Sequence, residues 1–247
     1  MSEPPRAAAA AGPRPERLVA VAGTGTEVGK TWVASAVLGE ARRRGFAVAA
    51  RKPAQSFDGT GGQRAGGRPG ADDPTDAERL AGATGEQPEH VCPPHRTYPV
   101  ALAPPMAAEA LGLPAFGLDE LLGELRWPDG VDLGLVELAG GVRSPQAADG
   151  DGLDLLRRLA PDDVVLVADA GLGTLNAVRL TLDALAGAGF GPTPHRAPLL
   201  VLDRYHHRLD VHVRNRTWLE ERDGHRVFVV PGEEAALVDR LVERRGP

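Results

Sequence analysis

The chain has 247 residues and carries 34 acidic against 28 basic side chains, a formal net charge of −6. The length is enough for one large α/β domain with a sizeable core, and the acidic balance argues against a nucleic-acid-binding surface. A single cysteine, Cys92, excludes an internal disulfide and a cysteine-based metal cluster. No apolar run approaches the ~18 residues of a membrane span, so no membrane partner is expected and the expected compartment is the cytoplasm.

Residues 1–16 are rich in Ala, Pro and Arg and lack the leucine-rich segment of a secretory signal, which reads as a disordered leader. The apolar run from Leu18 to Ala22 then predicts a buried strand, and Trp32 to Leu38 carries apolar residues at helical spacing. Between them stands Gly23-Thr24-Gly25-Thr26-Glu27-Val28-Gly29-Lys30-Thr31. A strand, a Gly-rich turn and a helix opening on Gly-Lys-Thr is the layout of a phosphate-binding loop. Consecutive backbone N–H groups converge there and the helix N-terminus adds partial positive charge. Lys30 then reaches the outer phosphates, and the Thr31 hydroxyl is placed to ligate Mg²⁺. Five residues separate Gly23 from Gly29 where the common pattern has four. The plain alternative is a Gly-rich turn with a solvated lysine, but strand, glycines, Lys-Thr and helix all coincide.

The first helix is expected from Lys30 to about Arg44, and a second strand over 46–50 ends at Lys52, the end of a parallel strand where ligands gather. Residues 58–74 hold many glycines and almost no apolar side chain, which predicts a mobile loop. Thr75 and Glu78 form a capping box for the next helix, with Asp76 in its first turn. Six prolines over 87–105 predict an extended, irregular connection. His90, Cys92 and His95 within it are a weak metal signal, three ligands without a fourth. Short helices are expected over 106–111 and 118–125. Strands follow at 132–137, 163–169, 198–203 and 227–230, with helices at 151–159, about 176–188, 209–222 and 233–244. The alternation predicts a single α/β domain of the phosphate-loop NTPase type, a mostly parallel sheet with helices on both faces. Glu137, at the end of an apolar strand, stands where a metal-coordinating acid is expected in such a protein.

Four segments, in order, resemble the dethiobiotin synthetase family: residues 23–31, Lys-Pro-Ala-Gln-Ser (52–56), Glu-Leu-Ala-Gly-Gly (137–141) and Leu-Gly-Thr-Leu-Asn (172–176). The five-residue spacing of the phosphate loop is this family's own. The resemblance implies a ligase that joins 7,8-diaminononanoate and CO₂ into a cyclic urea at the expense of ATP, through a carbamate phosphorylated by the nucleotide. It implies that Lys30, Lys52 and Thr26 carry the catalysis and that Gly25, Thr26, Glu27, Val28, Gly29, Lys30, Thr31 and Asp203 bind the nucleotide. It further implies a Mg²⁺ site of Thr31, Asp76 and Glu137, with Asp72 and Asp73 as alternatives to Asp76. Lys52, Ser56 and the turn Gly173, Thr174, Leu175 and Asn176 would receive the substrate, the turn doing so across a homodimer interface.

Three positions depart from the family pattern. Phe57 and Leu138 replace glycines, and a leucine beside Glu137 is expected to crowd the site. Asp203 replaces an Asn that pairs with adenine; a carboxylate only accepts where an amide also donates, so a relaxed or altered base preference is expected. The competing readings are a related ligase such as a cobyrinate amidase, for which this chain lacks room for a glutaminase domain, a nucleotide-switched partitioning ATPase, whose extra loop lysine is here Thr24 or Gly25, and a divergent paralogue.

Overall fold

The computed structural model describes residues 13–59, 74–191 and 197–243. In chain order, β1 (Arg17–Gly23) leads into α1 (Lys30–Arg43), followed by β2 (Val48–Arg51), the two-residue β3 (Gln55–Ser56), α2 (Asp76–Thr84) and α3 (Pro88–Val91). A 3₁₀ turn (Pro94–Arg96) precedes β4 (Thr97–Tyr98), α4 (Pro104–Ala110), α5 (Leu118–Glu124), β5 (Leu133–Glu137), β6 (Pro145–Ala147) and β7 (Gly150–Asp151). The chain continues through α6 (Gly152–Leu159), β8 (Asp163–Asp169), α7 (Thr174–Gly187), β9 (Leu199–Asp203), α8 (Asp210–Glu221), β10 (Val227–Val229) and α9 (Glu234–Val242).

Six strands form one sheet in the order β10-β9-β8-β1-β5-β2, and every pairing in it is parallel. Strict alternation divides the side chains between two cores. Leu18, Ala20 and Ala22 of β1 and Leu166 and Ala168 of β8 join α5, α6, α7 and α8 on one face. Val19 and Val21 of β1 and Val165 and Val167 of β8 join α1, α2 and α9 on the other. Strands buried on both faces need near-continuous apolar sequence, which is why the sequence marks Asp163–Asp169 residue for residue. The direction of chain progression reverses at β1, which has β5 on one side and β8 on the other. Ligand crevices open at such a switch point, beyond the carboxyl ends of the strands.

Two expectations need correction. Residues 87–105 are not an extended connection: α3, the 3₁₀ turn and α4 open on Pro88, Pro94 and Pro104. A proline in the first helical turn gives up an N–H that has no intrahelical partner there, so it starts a helix as readily as it ends one. The leader does not run unbroken to Glu16 either. Pro15 is buried against Gly134, and Glu16 donates its N–H to the Val131 carbonyl at 2.9 Å. Residues 1–12 and most of the loop expected at 58–74, with Asp72 and Asp73, lie outside the described residues.

Candidate active site

The phosphate loop joins β1 to α1. Gly29, in the left-handed region at φ 90°, is the N-cap of α1 and leaves Lys30 and Thr31 as its first two helical residues. A side chain at Gly29 would overlap the Asp203 carboxylate, since a β-carbon would sit 1.7 Å from Asp203 Oδ2; only glycine fits both the φ and the space. Glu27 also adopts a positive φ of 59°. Lys30 is buried and donates from Nζ to the Gly25 carbonyl at 2.9 Å, closing the loop on itself. Burial and the nearby Lys52 ammonium lower its pKa to about 8.

Four side chains, from the starts of α1 and α2, the end of β5 and the residue after β2, meet beside Lys30. Thr31 Oγ1 lies 2.8 Å from Asp76 Oδ1 and 2.9 Å from Glu137 Oε1, one hydroxyl proton facing two carboxylates. Lys52 Nζ lies 2.8 Å from Asp76 Oδ2 and 2.5 Å from Glu137 Oε1. Glu137 is 0% exposed, and its Oε2 has no partner among the described residues. Burial alone would raise the Asp76 pKa, but Lys52 and the Thr31 hydroxyl outweigh it and hold the carboxyl down at about 2. Lys52 is likewise buried, yet the two carboxylates keep it above the ordinary lysine range. Burial pushes Glu137 up against the opposing pull of Lys52. With acceptors outnumbering donors, a hydroxyl and two carboxylates make a set of hard oxygen ligands suited to Mg²⁺.

Neighbouring loops hold this cluster in place. Thr75 caps α2 with a complete capping box, and Gln55 Oε1 accepts from the Ala77 N–H at 3.0 Å, fixing the turn that carries Asp76. Gln146 pairs with both the N–H and the carbonyl of Ala139, at 3.1 and 2.7 Å, and Ser144 Oγ accepts from Gly141 N–H. These bonds bring Gly140 and Gly141 against Gly25 and Thr26. Sequence reasoning gives no role to Gln146 or Ser144, and none to Gln55 beyond its place in the segment 52–56. The only signal is that a polar side chain beside a Gly-rich turn needs a backbone partner.

The remaining predicted residues are distributed around this centre. Asp203, at the end of β9, is 1% exposed with Oδ1 unpartnered among the described residues. Ser56 donates its hydroxyl to the Leu102 carbonyl. Gly173, with φ 94°, caps α7, Thr174 is buried with its Oγ1 unpartnered among the described residues, Leu175 is half-buried and Asn176 is exposed. This turn is tied to the phosphate loop through residues that sequence reasoning missed. Asp169 Oδ1 accepts from Gly171 N–H at 2.7 Å, and its Oδ2 lies 3.2 Å from Arg204. Arg204 in turn donates to the Glu27 carbonyl at 2.8 Å, and Asn215 donates to the carbonyls of Ala170 and Gly171. Leu138 does not crowd the site. It is fully buried in the core because strand alternation turns it away from the face that Glu137 occupies. His90, Cys92 and His95 form no metal cluster among the described residues. His95 pairs with Glu124, and burial pushes the Cys92 thiol up to about 11, far from a nucleophilic thiolate.

The AAA domain family matches residues 17–191. The ATP-dependent dethiobiotin synthetase BioD of Rhodococcus jostii is 42% identical over 173 residues, covering 70% of this chain and 69% of the relative. The enzyme of the same name from Caulobacter vibrioides is 40% identical over 173 residues, covering 68% and 74%. Among solved structures, a nucleotide-binding protein from Archaeoglobus fulgidus in complex with ADP aligns over 94% of this chain and 89% of its own, at 13% identity and a TM-score of 0.47. The chain belongs to the dethiobiotin synthetase family.

Proposed function

We propose that the protein closes the cyclic urea of dethiobiotin from 7,8-diaminononanoate, CO₂ and ATP. The observation that carries the reading is the pairing of two buried lysines, Lys30 in the phosphate loop and Lys52 at the end of β2, around one oxygen cluster. A carbamate oxygen must attack the γ-phosphorus while ADP leaves, and attacker and target are both anions. The main demand is therefore fixed positive charge. Lys30 answers it on the nucleotide side, reaching from the loop whose N–H groups hold the phosphates. Lys52 answers it on the carbamate side. The second amine then attacks the carbonyl carbon of the carbamic–phosphoric anhydride, and phosphate leaves. Thr26 borders the same space from the loop, against Gly140.

Thr31, Asp76 and Glu137 would hold Mg²⁺, which when bound neutralises phosphate charge; the unpartnered Glu137 Oε2 favours this use of the site. The turn 173–176 would receive the substrate carboxylate at the N-terminus of α7, a helix of 14 residues, in a second copy of the chain. Its neighbour Leu172, 96% exposed, supports an occluded position for this turn in a dimer.

The test is product formation from 7,8-diaminononanoate, bicarbonate and Mg²⁺ with ATP, GTP or CTP, read by mass spectrometry. A cyclic urea is expected, and Lys30→Ala and Lys52→Ala are each expected to abolish it with the fold intact by circular dichroism. Full activity in either variant refutes the assignment. Turnover with GTP comparable to ATP is the expected signature of Asp203 in place of an amide, and strict ATP dependence removes that part.

A further inference from the structure

Lys52 has a second property that its catalytic assignment does not require. Its ammonium lies against the same two carboxylates that Thr31 faces: Glu137 Oε1, 2.5 Å from Nζ, is also 2.9 Å from Thr31 Oγ1, and Asp76 offers Oδ1 to Thr31 and Oδ2 to Lys52. The side chain is 4% exposed, and the Lys52 N–H is fixed to the Val91 carbonyl at 2.8 Å, so the ammonium is held on a short tether. Lys30 differs. Its ammonium donates to the Gly25 carbonyl inside the phosphate loop, and it acts on the carboxylates only through space.

Charge balance sets the order of loading. Two lysines and two carboxylates leave the cluster neutral, with Lys30, Lys52 and Glu137 buried and the Asp76 side chain 40% exposed. A divalent ion entering with Lys52 in place would add two positive charges beside the buried Glu137 and Lys52, where water screens weakly. The phosphates of a nucleotide remove that excess.

We propose that Lys52 is a resident counter-ion that competes with the divalent cation for Asp76 and Glu137. The protein takes up the cation together with nucleotide, and its arrival turns the Lys52 ammonium from the two carboxylates toward the anionic second substrate. Charge for the carbamate is thus made available only after the nucleotide side is loaded. This inference rests on the reading of Thr31, Asp76 and Glu137 as the cation ligands.

Mn²⁺ is the probe, its free concentration followed by electron paramagnetic resonance, with and without a non-hydrolysable ATP analogue. Wild type, Lys52→Met and Lys30→Met are compared, with Lys52→Gln as a second neutral variant should Lys52→Met not fold. Without nucleotide, Mn²⁺ is expected to bind Lys52→Met about tenfold or more tightly than wild type, the scale of losing one close competing charge. Lys30→Met is expected to gain about threefold or less by the same distance argument. Mn²⁺ alone should also raise the melting temperature of Lys52→Met, whose carboxylates have lost their partner, and leave that of wild type nearly unchanged. Equal affinity in wild type and Lys52→Met, or an equal gain in Lys30→Met, overturns the competition while leaving the cation site standing. Absence of Mn²⁺ binding in every variant even with the analogue overturns the cation site and the inference together.

Discussion

Asp203 shows how a single residue trades stability for position. Its carboxylate is buried beneath Gly29, and burial lifts its pKa from 3.8 to about 6, with Arg204 pulling down and Asp169 adding to the rise. Between pH 4 and 6 the folded chain therefore holds a proton that the unfolded chain has released. Raising the pH through that window costs the fold stability, which stays lost above it. Two pKa units correspond to about 2–3 kcal/mol. Asp203→Asn is expected to stabilise the protein by about that amount at pH 7 and by nothing below pH 4. Melting curves across pH 4–8 measure it, and a gain independent of pH refutes it. In the sequence Asp203 stands out only as a departure from an amide. That its carboxylate buttresses the phosphate loop depends on β9 and β1 ending on one edge of the sheet, which local sequence does not encode.

At the scale of elements, the phosphate loop is braced from outside by a residue 177 positions away. Glu27 sits in the left-handed region, where a side chain costs on the order of 1 kcal/mol or more, and its carbonyl accepts from Arg204, which also faces Asp169. One charge-assisted hydrogen bond contributes about 1.5 kcal/mol. Arg204→Ala is accordingly expected to raise the KM for nucleotide about tenfold with kcat changed less than about twofold, and Arg204→Lys to recover part of the loss. An unchanged KM in Arg204→Ala sinks the brace. The loop itself is plain in the sequence because glycines, Lys-Thr and a preceding apolar run are all local. The brace is not, because one exposed arginine among 28 basic residues carries no mark of its partner. The same limit explains the misread prolines of 87–105: a proline fixes its own φ, and whether it opens a turn depends on what the following residues pack against.

For the whole molecule, the proposed dimer is the feature to test. Leu172 at the turn before α7 and Leu180 on that helix are 96% and 62% exposed, an apolar surface that a second copy would cover. Sedimentation velocity is expected to give the mass of two chains. Leu172→Asp is expected to weaken association on the order of a hundredfold, since a carboxylate would be buried without a partner; a monomeric wild type, or a variant that associates equally well, rules this surface out. What the sequence by itself determined is everything carried by neighbours along the chain. The fully apolar strands, the capping box of α2 and the phosphate loop follow from the period of burial and from backbone preferences, which act over a few residues. The tertiary structure alone decided which distant groups meet. Thr31, Lys52, Asp76 and Glu137 come from two helix starts and two strand ends spread over 106 positions, and they converge because parallel strands bring their carboxyl ends to one edge. Burial takes Lys52 and Glu137 out of water, and there each charge is set by its neighbours, so Lys52 becomes the partner of the two carboxylates as well as the expected partner of a substrate.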